Sequence, residues 1–390
     1  MHKRLLPALL LIAAAADSTA HHGCSAATTS GGGGATNWTQ LALPTQSDTV
    51  YQVKLYASTD GYIYYGTNNG TWRASTSAAT SNPSSVSWTA LSNQPACPAG
   101  SSNNGCPKDK LAPSAFTQDA SGNVVAAFGL NGTGTCAYCV VAVLNASRLT
   151  WGKAVAPSSS TQGRIGSLTV DASGNLWAAS VWNAMIMEST NDGASWSTIV
   201  RANGYATYGK PPGAIFVMNV INGTLYWGGE GGLMASPLTN FSGTRLVAGG
   251  PGYANNLLGI TSNGGPGTAA TEILSVGRAN SSGYMVQRES SDTWSDINTG
   301  PQYWTAATQG AVASDTTAHT YYIAGSTSSA GGVYKSTDGG QTWSSYTGTL
   351  DVCSTTPCAP LQIVVSPYDD SKFVSMGRSD PNPYTLWVHQ

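Results

Sequence analysis

From Leu55 onward the chain alternates apolar and polar side chains in short runs, and clusters of Gly, Asn, Asp and Ser cut those runs every few positions. A period of two bounded by turn residues predicts β-strands joined by hairpins. One hairpin is repeated almost literally. FTQDASGNVVAAF (Phe116 to Phe128) and LTVDASGNLWAAS (Leu168 to Ser180) carry the same Asp-Ala-Ser-Gly-Asn turn, 52 residues apart. Weaker versions follow as FVMNVINGTLYWGG from Phe216, GITSNGGPGTAATEILSVG from Gly259, AVASDTTAHTYYIAG from Ala311 and IVVSPYDDSKFVSMG from Ile363. With LYASTDGYIYYG from Leu55 the hairpins number seven.

A second pattern runs in phase with the first. Trp38, Trp88, Trp151, Trp196, Trp294 and Trp343 each close variants of one short phrase, and from Trp151 to Trp343 the intervals are 45, 98 and 49 residues. One copy is therefore missing from an array whose period is near 49, and such a period signals repeated β-units. Each unit divides into four strands, A to D, with the D strands WTAL, WGKA, WSTI, a Trp-less TRLV, WSDI and WSSY. The last unit ends on TLWVHQ without a D strand, while NWTQLALP at residues 37–44 is a D strand with no unit before it. The expectation is an all-β fold: a seven-bladed β-propeller of four-stranded blades over residues 37–390, closed by the N-terminal strand completing the last blade. Closure removes the exposed sheet edges of an open array.

The preceding residues predict export. His2-Lys3-Arg4 is a basic n-region and Leu5 to Ala16 an apolar core too short to span a bilayer, so residues 1–23 are expected to be a signal peptide and 24–36 a Gly/Ser/Thr tether. Two endings stay open. Ser18-Thr19-Ala20 fits a small-x-small cleavage site, whereas Gly23-Cys24-Ser25 fits lipidation at Cys24. Six of the seven cysteines fall in close pairs, Cys97 with Cys106, Cys136 with Cys139 and Cys353 with Cys358, which an exported chain would use as disulfides. A zinc site from the first four is the rival reading, since C-x-x-C is ligand spacing. The protein is expected outside the cytoplasm, secreted or held at the surface as a lipoprotein.

The phrase STDGGQTW (Ser336 to Trp343) resembles the Asp-box, or BNR, motif S-x-D-x-G-x-T-W of sialidases, two-propeller xyloglucanases and the photosystem II assembly factor family. STNDGASW (Ser189 to Trp196) departs from it by Asn191 at the Asp position. The resemblance implies architecture over residues 37–390 and no chemistry. Physically the box is a C–D turn in which a carboxylate accepts turn N–H groups, Gly supplies positive φ and Trp packs between blades.

Charge and motif content narrow the function. Charged residues make up 9% of the chain and the net charge is −2. Nucleic acid recognition needs a basic face that this composition does not supply. There is no G-x-S-x-G or H-E-x-x-H, and beyond the signal region only His319 and His389 remain, which disfavours His-based triads and His-rich metal sites. No cofactor is implied.

Alternating strand direction puts the A–B and C–D turns on one face, and the B–C and D–A connections on the other, around the channel mouth where propellers bind ligands. B–C connections carry Trp182, Asn183, Glu230, Arg278, Arg378 and Asp380; D–A connections carry Arg164, Tyr208 and Trp304. Aromatic rings and arginine forks suit carbohydrate. Glu230 and Asp380 are the candidate catalytic carboxylates of a glycoside hydrolase, which needs two roughly 5–10 Å apart. Arg164, Arg278, Arg378, Trp182, Asn183, Tyr208 and Trp304 are the candidate substrate-binding set. Sialidase proper fits less well, because its early R-I-P is matched only by R-I-G at Arg164, in the third unit. The expected partner is a glycan or polysaccharide, with no nucleic acid, membrane contact only through a lipid anchor, and a monomeric chain. The alternative is a non-enzymatic lectin-like or protein-binding propeller.

Overall fold

A computed structural model of the chain describes residues 37–46, 50, 53–96, 110–129, 139–158, 164–181, 185–200, 215–229, 232–248, 257–263, 270–279, 283–290, 293–297, 312–326, 331–350, 359–377 and 384–389. Its sheets are all antiparallel and follow the hairpins of the sequence. β1 (Trp38–Gln40) comes first, and β2 (Val53–Ala57), β3 (Tyr62–Thr67), β4 (Gly70–Ser75) and β5 (Thr89–Ala90) form a meander, with a short helix α1 (Thr76–Ser81) before its last strand. β6 (Pro113–Gln118), β7 (Val124–Phe128) and β8 (Val140–Val143) form a three-stranded sheet. Four-stranded order returns with β9 (Ile165–Val170), β10 (Leu176–Ser180), β11 (Ile186–Ser189) and β12 (Ser197–Val200), then β13 (Ile215–Ile221), β14 (Thr224–Gly229), β15 (Gly232–Pro237) and β16 (Arg245–Ala248). The next two sheets are β17 (Leu257–Ser262), β18 (Ile273–Ala279), β19 (Gly283–Ser290) and β20 (Thr293–Ile297), and β21 (Val312–Ser314), β22 (Tyr321–Ser326), β23 (Gly331–Ser336) and β24 (Ser344–Ser345). In the last sheet β25 (Ala359–Val365), β26 (Lys372–Gly377) and β27 (Thr385–His389) are joined by β1, which pairs antiparallel with β27 from Trp38–His389 to Gln40–Trp387.

The architecture is a β-propeller, with one correction to the expected uniform four-stranded blades. Six sheets have four strands, but the sheet β6–β8 has three. Its expected outer strand, WGKA at Trp151, touches β8 and its neighbour Leu144 only through the isolated bridges Leu144–Trp151 and Val141–Val155. The two bridges differ by one residue in register, so an extra residue intervenes and breaks the ladder, as a bulge does. The Gly152 N–H donates to Val143 O at 2.9 Å inside that bulge.

Packing follows from strand alternation. The first strands of successive sheets touch in the order β2, β6, β9, β13, β17, β21, β25, and β25 lies against β2. Each sheet sends one set of side chains to each neighbour, so the core is divided among inter-sheet clusters. Ile63, Tyr65 and Leu55 meet Phe373, Leu386 and Val388 in one of them; Trp177, Ile186 and Ile215 meet Trp227 and Met234 in another. Strands sandwiched on both faces lose the polar half of the alternation. Every residue of β7 and of β10 is buried, as VVAAF and LWAAS predict.

The repeated turns have repeated geometry. In both DASGN hairpins the aspartate takes two backbone N–H donors on one oxygen: Ser121 and Asn123 at 2.9 and 2.8 Å on Asp119, and Ser173 and Asn175 at 2.8 and 2.9 Å on Asp171. The C–D turns match in the same way. Ser189 Oγ accepts from Gly193 N, Asn191 Oδ1 from Ser195 N, and Trp196 Nε1 donates to Gly193 O; Ser336, Gly340, Asp338, Thr342 and Trp343 repeat those bonds. Gly193 and Gly340 have φ of 81° and 83°, a region open to glycine. An amide oxygen replaces the carboxylate at Asn191 because the turn needs only an acceptor.

Candidate functional site

The inner strands β2, β6, β9, β13, β17, β21 and β25 do not pair as ladders with one another, so side chains join them. Gln362 of β25 accepts the Leu55 N–H at 2.9 Å and donates to the Leu55 C=O at 2.8 Å. Ser167 of β9 both accepts from and donates to the Met218 backbone of β13 at 3.1 Å. Tyr56 OH and Thr59 N both donate to Gln118 Oε1 of β6. These clamps hold the strands around an axial space.

That space is a cavity of about 190 Å³ lined by residues of all seven inner strands, among them Lys54, Tyr56, Phe116, Ser167, Phe216, Met218, Ile260 and Gln362. Tyr56 and Phe116 stack at its side, with ring centroids 5.9 Å apart and planes 18° from parallel. Bulges re-aim backbone beside the cavity. The ladders shift register at Pro113–Ala115, Ile215–Val217, Leu257–Gly259 and Pro360–Gln362, always near the start of the inner strand. Bulges at the rims of closed sheets often redirect side chains at functional positions. All lie at the end of the sheets that carries the D–A connections.

Electrostatically the site is cationic. Burial pushes the Lys54 ammonium down to about 7 from 10.5, and the Arg164 charge pushes in the same direction. Arg164 itself is lowered by burial, and its Nε is buried without a hydrogen-bond partner among the described residues. Its backbone is fixed, since Arg164 O accepts the Val181 N–H at 2.9 Å just before β9. Burial, then the neighbouring Tyr64, raises Tyr56 above an ordinary phenol, so it stays a neutral hydroxyl. The two cations disfavour each other's charged form, which burial already disfavours. None of the described residues lining the cavity is a carboxylate.

Of the residues singled out from the sequence, Arg164 is described just before β9; its charge acts on Lys54, but it is not among the described residues that line the cavity. Arg278 falls within β18, opposite Tyr284. Glu230, Asp380, Arg378, Trp182, Asn183, Tyr208 and Trp304 lie outside the described residues, as do Cys24, Cys97, Cys106, Cys136, Cys353 and Cys358. Cys139, at the start of β8, is buried and disulfide-bonded. Inspection of loops overlooked Lys54, Tyr56, Phe116, Phe216 and Gln362. A signal for the first was present: Lys54 is the one charged residue in the seven inner strands.

No protein-family model matches the sequence, and no curated protein does. Solved structures do match in shape. A YCF48 structure bound to D1 peptide is 12% identical with a TM-score of 0.54, over 90% of this chain and 94% of that one. A GH74 xyloglucanase from Xanthomonas campestris is 18% identical with a TM-score of 0.56, over 89% of this chain and 55% of the enzyme. A streptogramin B lyase is 13% identical with a TM-score of 0.56, over 90% of this chain and 98% of that one. At these identities the likeness extends to the β-propeller fold alone. The three carry different functions on it, so function has to be argued from the site.

Proposed function

We propose that this protein is an exported propeller that binds glycan at the channel mouth, by contact rather than by hydrolysis. The observation that carries the reading is the axial cavity: the stacked rings of Tyr56 and Phe116 and the ammonium of Lys54 line it, and none of the described lining residues is a carboxylate. Aromatic faces suit sugar rings and guanidinium groups suit their oxygens. In this proposal the sheets form a seven-membered ring sealed by the β1–β27 pairing. The turns at Ser189 and Ser336 are Asp-boxes that brace the ring, and the cysteines staple loops around the mouth. Export follows from residues 1–23, with Cys24 as lipid anchor or the signal cut after Ala20. A xyloglucanase and a peptide-bound propeller among the similar structures make glycan and peptide the two ligand classes to compare.

A glycan array run with the wild type and with Glu230→Gln, Arg378→Ala and Lys54→Met tests the reading. Binding without turnover, lost in Lys54→Met, is the expected result. Turnover that disappears in Glu230→Gln would establish the hydrolase instead, with Asp380 as its second carboxylate. Absence of glycan binding on the whole array, with capture of an acidic peptide, would replace glycan by a protein partner.

A further inference from the structure

The pairing of β1 with β27 is braced by a cluster of rings. His389 of β27 stands opposite Trp38 of β1 on one side and Lys372 of β26 on the other, so the three side chains project on one face. Its imidazole stacks on the Tyr346 ring, with centroids 4.8 Å apart and planes at 26°, and meets Trp38 edge to face at 5.3 Å. Tyr346 OH and His389 Nε2 share a hydrogen bond of 2.8 Å, and the Trp38 indole donates to Tyr346 O at 2.9 Å. β1 is only three residues long, so this trio is a large part of what seats it. The charges around the imidazole are cationic on two sides. Lys335 of β23 lies 5.5 Å from the centre of the Tyr346 ring, and Lys372 lies 3.3 Å from Asp315. Asp315 also accepts from Tyr322 OH at 2.9 Å, so that carboxylate is committed to Lys372 and Tyr322; Asp370 is bonded to Thr316. Burial first, then Lys372 and Lys335, hold the imidazole below an ordinary histidine. The ring faces would favour a cation, but burial and the two ammonium groups outweigh them.

We propose that His389 is a pH-sensitive latch: its neutral imidazole keeps β1 seated on β27, and protonation in a mildly acidic medium lets that strand go. This is independent of what the cavity binds. Folded His389 takes a proton more weakly than the free side chain does at 6.5, so the pairing is at full strength above that value and weakens as pH falls below it. Its neighbours keep one state in that window. Burial raises Tyr346 and, with Asp315 beside it, Tyr322, so both stay neutral hydroxyls. Burial works to raise Asp315, but the Thr317 N–H and Lys372 hold it below the ordinary carboxylate range, so it stays ionised. Acid therefore adds a third cation beside Lys335 and Lys372, while Asp315 remains occupied. His319, the other described histidine, lies 2.9 Å from Glu272 Oε1, and a His389 variant separates the two responses. A released β1 leaves the outer edge of β27 without its partner strand.

Hydrogen–deuterium exchange read by mass spectrometry at pH 7.5 and at pH 5, corrected for intrinsic amide rates, tests the latch on the peptide 38–43. Leu41, whose N–H donates to Leu386 O at 2.7 Å, reports the pairing, and the wholly buried β7 serves as control. The expected result is that protection of 38–43 falls several-fold at pH 5 while β7 keeps its own. His389→Gln, which cannot take up the proton, should show no such fall, and Lys335→Met should show a smaller one. Lys335→Met leaves the imidazole in place, so it carries the test even if the glutamine variant fails to fold. A wild-type peptide 38–43 equally protected at both pH values overturns the latch. A fall of wild-type size in His389→Gln or in Lys335→Met assigns the acid response to another group and overturns it too. A fall shared by β7 means that the whole fold weakens rather than this strand, which also rejects it.

Discussion

Methionine at position 54 keeps the length of the lysine stem and removes the ammonium, which makes Lys54→Met a direct measure of what the buried charge costs. The sign follows from the direction of the shift. The folded-state value is about 7 against 10.5 for the free side chain, so between those values the unfolded chain binds the proton more tightly. Wild-type stability therefore carries a penalty that is fully present below pH 7 and fades as pH rises toward 10.5. At about 1.4 kcal/mol per tenfold difference in affinity, the ceiling is about 5 kcal/mol. Urea denaturation of both proteins at pH 6 and at pH 9.5 measures it. Lys54→Met should be the more stable protein at pH 6, and the gap should shrink by more than half at pH 9.5. A methionine variant that is less stable at pH 6, or a gap that ignores pH, would refute a buried cation pair in the channel.

Other substitutions test the frame that holds the site. Gln362→Ala removes both clamps on the Leu55 backbone and leaves a buried N–H and C=O unsatisfied, so a loss of about 2–4 kcal/mol is expected in denaturant titration. Gly66→Ala would place a Cβ 2.2 Å from the Pro113 ring, which cannot swing away, and should cost about 1–3 kcal/mol by the same assay. Trp38→Ala empties a nearly fully buried site in the β1–β27 sheet and loses the bond from Nε1 to Tyr346 O; a drop of about 3–5 kcal/mol is expected. Asp338→Asn should shift the melting midpoint little, because Asn191 already makes the same backbone bond in the sister turn.

The frame was legible because its instructions are local. Asp119 and Asp171 bind N–H groups two and four residues on, and the Ser189 and Ser336 turns close within eight residues, so each motif can be recognised without its surroundings. The orphan strand at Trp38 was readable for the same reason: its unit lacks three strands and the last unit lacks one. The broken strand at Trp151 was not, because WGKA looks like its siblings and the extra residue shows only when register is measured against β8. The site was harder still. Lys54, Phe116, Ser167 and Phe216 lie in four different sheets, and no spacing in the sequence brings them together. The loops with Glu230, Arg378 and Asp380 lie outside the described residues.

The most direct test is the titration of Lys54 itself, followed by the ¹³Cε resonance of ¹³C-lysine-labelled protein and assigned with Lys54→Arg. It should titrate near 7, well below a free lysine, as burial and the charge of Arg164 require. A Lys54 that titrates near 10 without ligand would contradict the account.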